Sequence, residues 1–361
     1  MSLFATHATK LASRRSFLLT GLAAAGCSRR ESDPGLRRAA QFLWSQQGDD
    51  GGWHSKTYGL LRSGQSLTPF VLDALLDVPE NVVARPAGAV DRAITFLKSS
   101  TNADGQLGLA DSSAPDYPNY ATGLAVRATI RAQRPTAQVD AAKWLTCLRA
   151  QQFSEDGGWK RDDPAYGAWG MGGARLTPPD AGHVDLAMTR YVLEGLAAAG
   201  VPPSDPAIQR ALVYLERCQN PDGGFYFSTV NLDTNKAGDE AGKYRSYGST
   251  TADGIISLRA CGVPNSDPRL NRAARWLSQN HLPDRVPGFD AGPRAAWALG
   301  LRYYYAAALI RAVPGLPVLL PPQHSDGSFA NSSNLVKEDD PLIATPFALL
   351  VLCHKESPVP R

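Results

Sequence analysis

Residues 32–53 read SDPGLRRAAQFLWSQQGDDGGW, a segment with a helix start at one end and a helix stop at the other. Asp33 can cap a helix N-terminus, and Pro34 suits the first helical position. The paired glycines near the end stop the helix, because glycine adopts backbone angles that other residues avoid. We therefore predict an amphipathic helix from Pro34 to Gln47, followed by a tight turn.

The same pattern returns along the chain. Ser-Asp-Pro recurs at residues 204–206 and 266–268, and each copy leads at the same spacing to an aromatic residue followed by leucine. The full pattern is a basic residue, an aromatic-leucine pair, a glutamine, an Asp-Gly turn and a final aromatic. Equal spacing at several places predicts a repeat protein. We expect the glutamine to bond free carbonyls at its own helix end, and the final aromatic to pack between outer helices.

Not every copy is complete. By spacing, the third copy takes Gln152, Gly157 and Trp159, while the second lacks the final tryptophan and the fifth has a stretched turn. The sixth keeps only Gln323 and the turn before Phe329. Four prolines precede it, which argues against a sixth outer helix.

Between the copies lie segments that are less charged and apolar on more than one face. A helix that is apolar all round is a buried helix. Each repeat should therefore pair an amphipathic outer helix with a buried inner one, which predicts an all-α fold, an (α/α)6 toroid over residues 32–355 with almost no strand. The inner segments are residues 66–76, 120–132, 183–199, 249–261, 294–313 and 342–354.

Composition narrows the function. The net charge is +3 over 361 residues with both signs mixed, so there is no electrostatic case for a nucleic-acid partner. The histidines are scattered and the cysteines lack metal-like spacing, so we predict no metal, no cofactor and buried thiols. The thiols in question are Cys147, Cys218, Cys261 and Cys353.

The N-terminus is a targeting segment. Arg14 and Arg15 precede an apolar run at residues 17–26 that is too short to span a membrane. Residues 13–18, SRRSFL, resemble a twin-arginine export signal. Residues 24–27, AAGC, resemble a lipobox, with alanine where leucine is usual. We predict a signal peptide over residues 1–27 and export of the protein, which is then either periplasmic or a membrane-anchored lipoprotein. The lipoprotein would carry its lipid on Cys27; the alternative is a plain signal peptide that is cleaved nearby.

The repeat copies at residues 38–53, 143–159 and 210–225 resemble the repeat motif of squalene-hopene and oxidosqualene cyclases, which are similar in fold to protein prenyltransferase β subunits. In that family an Asp-x-Asp-Asp-Thr-Ala stretch at the start of an inner helix carries the initiating acid. The matching stretch here is HVDLAM, in which Asp185 keeps the proton donor's position and His183 replaces the first aspartate. The resemblance implies Asp185 as acid with His183 supporting its anion; the other interpretation is a first-turn residue that serves the helix dipole.

The sequence lacks the motifs that two families of related fold require. Protein prenyltransferases need an Asp-x-Cys zinc pair and complement-like thioester domains a Cys-Gly-Glu-Gln stretch, and both are absent from this sequence. Hopene cyclases also have two helical barrels, whereas this chain has the length for one.

Two long connections, residues 160–182 and 226–246, should lie on one rim as lips over a central cavity. Three consecutive tyrosines at 303–305 must point in different directions, so at least one hydroxyl should reach the cavity or a buried partner. The candidate ligand-binding residues are Tyr166, Trp169, Tyr191, Tyr303, Tyr304 and Tyr305.

Arginines also fall in inner segments, and a buried arginine needs an anion. We favour internal carboxylates over a ligand as their partners, because both signs occur in the same segments. The arginines are Arg190, Arg259, Arg294 and Arg302, and the carboxylates are Asp73, Asp185, Glu194 and Asp253.

Together with the export signal, the resemblance implies an exported protein of the terpene-cyclase and prenyltransferase fold that binds an apolar isoprenoid-type ligand in its central cavity and, if Asp185 is active, cyclises it. One alternative is an exported binding lipoprotein without turnover. Another is a glycan lyase or hydrolase on an α/α toroid, for which His183, Asp185 and Tyr166 would have to meet in an open groove.

Overall fold

The outer helices begin as the Ser-Asp-Pro motifs predict. The computed structural model describes residues 33–108, 117–289 and 292–356, so the predicted signal peptide and Cys27 lie outside the described residues. Asp33, Asp205 and Asp267 each accept a hydrogen bond from the backbone N–H two residues later, at 2.7, 2.9 and 2.8 Å. The first helix ends at Ser45, two residues before the predicted Gln47.

Within these ranges the chain forms twelve α-helices and one short hairpin. Strands β1 (Asp239–Glu240) and β2 (Lys243–Tyr244) pair antiparallel. The all-α prediction with almost no strand is confirmed. The helices are α1 (Pro34–Ser45), α2 (Leu67–Leu75), α3 (Ala89–Ser99), α4 (Pro118–Arg131), α5 (Ala137–Gln151), α6 (Leu186–Ala198), α7 (Pro206–Cys218), α8 (Gly248–Ala260), α9 (Pro268–Gln279), α10 (Ala296–Gly300), α11 (Arg302–Ala312) and α12 (Pro341–Glu356).

The inner helices close into a ring. Helices α2, α4, α6, α8, α11 and α12 pack side by side in that order, and α12 packs against α2. One outer segment separates each inner helix from the next, so all six inner helices share one direction. Their N-termini meet at one edge of the ring, which we call the N-terminal rim. This is the predicted α/α toroid.

The sixth outer helix is missing, as its prolines predict. Residues 313–340 contain no helix, and Leu319 in this extended stretch donates its backbone N–H to the Pro283 carbonyl at 2.8 Å. The predicted inner segment 294–313 is also broken in two, at Leu301 between α10 and α11.

The repeated glutamines join neighbouring outer segments, which corrects the expectation that they bond their own helix end. Gln47, Gln219 and Gln323 each donate from Nε2 to the turn glycine's carbonyl at 2.8–3.0 Å. Each also donates to a first-turn carbonyl of the next outer helix at 2.9 Å. We call this arrangement a joint. The Gln323 joint reaches Gly35 in α1 and so closes the ring.

Each of these three glutamines also accepts a hydrogen bond at Oε1. The donor is an arginine of the next outer helix, at 2.7–3.2 Å, so both ends of the amide are used. The donors to Gln47, Gln219 and Gln323 are Arg92, Arg272 and Arg38.

The third joint lies elsewhere than the sequence spacing predicts. Gln152 donates to the carbonyls of Gly167 and Ala207 at 3.0 and 2.8 Å, so Gly167, not Gly157, is its turn glycine. The turn glycine follows the glutamine by fifteen residues here and by four in the other three joints, so eleven residues are inserted.

The tryptophan of this joint is accordingly Trp169 and not Trp159. Trp169 is fully buried and donates its indole N–H to the Leu148 carbonyl at 2.7 Å, as Trp53 does to Leu43 at the same distance. The structure thus gives Trp169 a structural role at the joint, and its role in ligand binding stays a prediction.

The four described cysteines are free and buried, as predicted. Among the described residues, no helix has both the length and the apolar character needed to cross a bilayer.

Candidate functional site

Ion pairs fill the axis of the ring below the rim. The Glu194 carboxylate on α6 accepts hydrogen bonds from Arg127 at 2.8 Å, from Arg190 at 3.0 Å and from Arg311. Burial alone would raise the pKa of Glu194, but the three guanidinium groups outweigh it and hold that pKa well below its usual range. The carboxylate is thus an anion shared by three inner helices.

The same network continues to α8 and α11. Arg190 donates to Asp253 at 2.7 Å, and the Tyr304 hydroxyl donates to the other oxygen of Asp253 at 2.8 Å. Burial raises the pKa of the Asp253 carboxyl, although Arg190 and Tyr304 act in the opposite direction. Arg131 extends the network by bonding Asp73 and Asp77.

Little space remains at this depth. Phe70, Tyr191, Tyr304 and Phe347 border a void of about 20 Å³, next to the arginines. Their rings pack against one another, with the Phe70 and Phe347 centroids 4.7 Å apart. A void of this size holds little more than one water molecule, so the predicted central cavity is filled at this level.

At the rim the structure brings the two candidate catalytic residues together. Asp185 caps α6: its Oδ1 accepts from the Met188 backbone N–H at 2.8 Å, and its Oδ2 contacts Nε2 of His183 at 2.8 Å. The carboxylate is 2% exposed and the imidazole 35% exposed. Asp185 therefore serves its helix dipole and holds a histidine partner at once.

A lysine that the sequence did not single out lies nearby. The Lys236 ammonium stands over the Phe227 ring at 3.7 Å and near the Trp297 ring at 5.4 Å. Burial lowers the pKa of Lys236, whereas the charges of Asp185 and Asp253 raise it. Because Lys236 sits in an irregular loop, no periodicity could have identified it.

The loop that carries Lys236 is held from two sides. Asn235 accepts the backbone N–H groups of Phe227 and Ser228 at 2.7 and 3.1 Å. Arg294 donates to the carbonyls of Asn235 and Lys236 at 3.2 and 2.9 Å. This loop contacts the other predicted lip, because Asn231 donates to the Gly182 carbonyl at 2.9 Å.

A cleft of about 200 Å³ opens beside His183. Residues 170–173 run along one wall of the cleft. This segment is held in place because Gln106 and Gln151 both donate to the Gly173 carbonyl at 2.9 Å. Gly172 has a φ of +96°, and a Cβ there would come within 2.8 Å of the Asn119 backbone, so only glycine fits. The cleft is lined by Asn119, Gln151, Gln152, Phe153, Gly170, Met171, Gly172, Ala174, Arg175, Leu176 and His183.

Of the predicted ligand-binding aromatics, Tyr191 and Tyr304 lie on the axis. The Tyr304 hydroxyl reaches Asp253, which confirms that one of the three consecutive tyrosines finds a buried partner. Tyr303 points the other way and donates to the Ala330 carbonyl at 3.3 Å.

The remaining predicted aromatics lie away from both the axis void and the cleft. Tyr166 donates its hydroxyl to Glu155 at 2.5 Å, on the side of Arg210 and the outer helices. Tyr305 is buried in the core against Gly248. For Tyr305, a helix that is apolar all round does not reveal which face looks inward.

The predicted internal pairing of arginines is confirmed for Arg190. Arg259 and Arg294 bond backbone carbonyls instead of carboxylates. The sequence analysis does not name Arg127 and Arg311 as candidates. The signal that could have identified them is a charged residue inside a segment that is otherwise apolar.

Comparison with known proteins agrees with this architecture. A sequence model of the squalene-hopene cyclase C-terminal domain matches residues 182–288, which include Asp185. A squalene–hopene cyclase of Bradyrhizobium diazoefficiens is 28% identical over 247 residues, covering 68% of this chain and 28% of that protein. A terpene cyclase–glycosyl transferase fusion protein of Humicola fuscoatra is 36% identical over 99 residues, covering 26% and 7%. The chain thus spans less than a third of the length of these relatives.

The fold is also found in solved structures. A type II terpene cyclase from Scytonema superposes with a TM-score of 0.56 at 15% identity, covering 90% of this chain and 98% of that one. The chain therefore has the α/α-toroid fold that this type II terpene cyclase also has. Its sequence is similar to squalene–hopene cyclases, as its repeats predict.

Proposed function

We propose that this protein binds an isoprenoid-type apolar ligand at the N-terminal rim and that Asp185, held by His183, donates a proton to it to start cyclisation. The observation that carries the proposal is the Asp185–His183 hydrogen bond at the start of inner helix α6. Further support comes from the Scytonema cyclase, whose structure has been solved with geranylgeranyl dihydroxybenzoate as substrate.

The surroundings of Asp185 suit a proton donor. When the protonated carboxyl gives its proton to an alkene carbon, its O–H bond breaks and a carboxylate remains. The Met188 N–H and the His183 ring then face the two oxygens of that carboxylate. Hydrogen bonds to the charged form favour release of the proton.

A second candidate function is binding without turnover. It is favoured by one observation: both oxygens of Asp185 already have partners, and one of them caps α6. An aspartate with a structural role would have the same neighbours.

The test compares wild type with Asp185→Asn after incubation with squalene and with geranylgeraniol. Asparagine can still cap the helix but cannot donate a carboxylic proton. We expect a cyclic product from wild type and at least about 100-fold less from the variant, by mass spectrometry of organic extracts. Equal product from both proteins would remove Asp185 from the reaction. Bound but unchanged isoprenoid in both would favour the binding protein, and no retained isoprenoid in either would exclude this ligand class.

We also propose export through the twin-arginine route and lipidation of Cys27, on the residues outside the described ranges. Replacing Arg14 and Arg15 together by lysine should leave the protein in the cytoplasmic fraction, because the signal depends on the arginine pair and not on charge alone. Lys10→Arg is the control and should be exported normally. Cys27→Ser should abolish incorporation of labelled fatty acid; continued labelling would contradict lipidation at Cys27.

A further inference from the structure

The third joint of the ring departs from the joints of Gln47, Gln219 and Gln323. Arg210 occupies the position from which an arginine bonds the glutamine Oε1 in those joints. Here its Nε donates instead to Glu155 at 2.8 Å. Gln152 Oε1 is buried and has no hydrogen-bond partner in the described part of the chain. The third joint thus lacks the arginine–glutamine hydrogen bond that the other three joints contain.

The cleft lies at this same joint, since Gln152 and Phe153 are among its lining residues. Asn119, which is 1% exposed and lines the cleft, likewise leaves its Oδ1 without a partner among the residues described. The orientation of its amide is fixed, because its Nδ2 donates to the Gly170 carbonyl at 2.9 Å. Both hydrogens of the Gln152 amide are committed to carbonyls in the same way.

His183 also lines the cleft, and its Nε2 contacts the Asp185 carboxylate at 2.8 Å. Its other ring nitrogen, Nδ1, is a further polar atom that a ligand hydroxyl can bond. The residues that line the cleft therefore carry three amide oxygens, on Asn119, Gln151 and Gln152, together with the His183 ring and no carboxylate. A buried acceptor without a partner is unfavourable, and a ligand O–H group that reaches it supplies the missing hydrogen bond.

The charge and the apolar surface of the cleft further limit which chemical groups it can bind. Arg175 lies in the wall and disfavours an ammonium group, so hydroxyl groups suit the acceptors better than a cationic amine. Phe153, Met171 and Leu176 offer apolar surface to a carbon skeleton.

We propose that this cleft binds the hydroxyl head group of the ligand, so that the protein prefers an isoprenoid alcohol to an isoprenoid hydrocarbon. This rests on the proposed function, because it assigns the head group of the same ligand. It adds a polar recognition site at the third joint, beside Asp185 and outside the filled axis.

The experiment is calorimetric binding of geranylgeraniol and of its methyl ether, which differ by one hydrogen-bond donor. Wild type should bind the alcohol about 10-fold more tightly, since a site with unpaired acceptors disfavours a ligand without the donor. His183→Phe should reduce this ratio towards one. His54→Phe is the control, because His54 is a rim histidine that bonds Asp50 and lies outside the cleft; it should keep the ratio.

The outcomes separate the two proposals. If wild type binds the alcohol and the ether equally well, the head-group site is wrong while isoprenoid binding stands. If neither ligand binds, the proposed function itself fails. If His183→Phe does not fold, Met171→Trp, which fills the cleft from a half-buried position, should remove the preference for the alcohol. A preference that survives a filled cleft would overturn the inference.

Discussion

Replacing Glu194 with glutamine should lower the free energy of unfolding by about 3–5 kcal/mol. Glutamine has nearly the same shape, so the loss reports the charge and not a cavity. Removing the Glu194 charge leaves Arg127, Arg190 and Arg311 close together on the axis with one buried anion fewer. The measurement is urea unfolding at neutral pH, followed by circular dichroism.

The pH dependence has a definite sign. The pKa of Glu194 is lower in the folded chain than in the unfolded chain, so its stabilising contribution is fully present above the unfolded value of about 4.3. It is lost as pH falls through the folded pKa. The difference between wild type and Glu194→Gln should therefore be constant from pH 7 to about pH 5 and should shrink below about pH 4.

A matched control uses an exposed ion pair. Asp284 contacts Arg285 at 2.8 Å with both side chains largely in water. Asp284→Asn should leave the unfolding midpoint unchanged, because exposed pairs contribute little. If Glu194→Gln were equally harmless, the axial ion pairs would not be what holds the inner helices together.

The sequence predicts the ring well because the ring depends on local and periodic features. Capping aspartates, prolines at the first helical position and segments apolar all round each act within a few residues, and each appears in the structure where expected. The missing sixth outer helix follows from the same local reasoning, since proline cannot continue a helix.

The candidate site is harder to predict, because it depends on the direction in which each side chain points and on residues inserted between the repeated motifs. Tyr304 and Tyr303 are neighbours in sequence, yet one faces Asp253 on the axis and the other the Ala330 carbonyl. A pattern that is apolar on all faces carries no information on which side chain turns inward. Lys236 comes to Asp185 through a loop whose path no periodicity describes.

The third joint shows the limit most clearly. Two Gly-x-Trp sequences follow Gln152, ending at Trp159 and at Trp169. The first lies closer to the four-residue spacing of the other joints, whereas the structure uses the second. Only the three-dimensional fit of Gly167 against the next outer helix decides between them.

That fit makes Gly167→Ala the second large effect that we expect. Gly167 has a φ of +86°, and a Cβ there would lie 2.0 Å from the Arg210 carbonyl oxygen. The backbone at the start of α7 has to move away, and the Gln152 bonds at the joint are lost with it. We expect a loss of about 4 kcal/mol or more in the free energy of unfolding, measured by urea denaturation.

Two other glycines separate the causes of that loss. Gly200 has a φ of +81°, but no described atom lies within 4 Å of a Cβ built there, so Gly200→Ala should cost only about 1 kcal/mol of backbone strain. Gly157, the glycine selected by spacing, has its nearest contact at 3.1 Å with the Trp159 ring and no left-handed φ. Gly157→Ala should therefore be mild. If it were instead the more damaging of the two repeat glycines, the joint would lie at Gly157, and the insertion would have to be placed elsewhere.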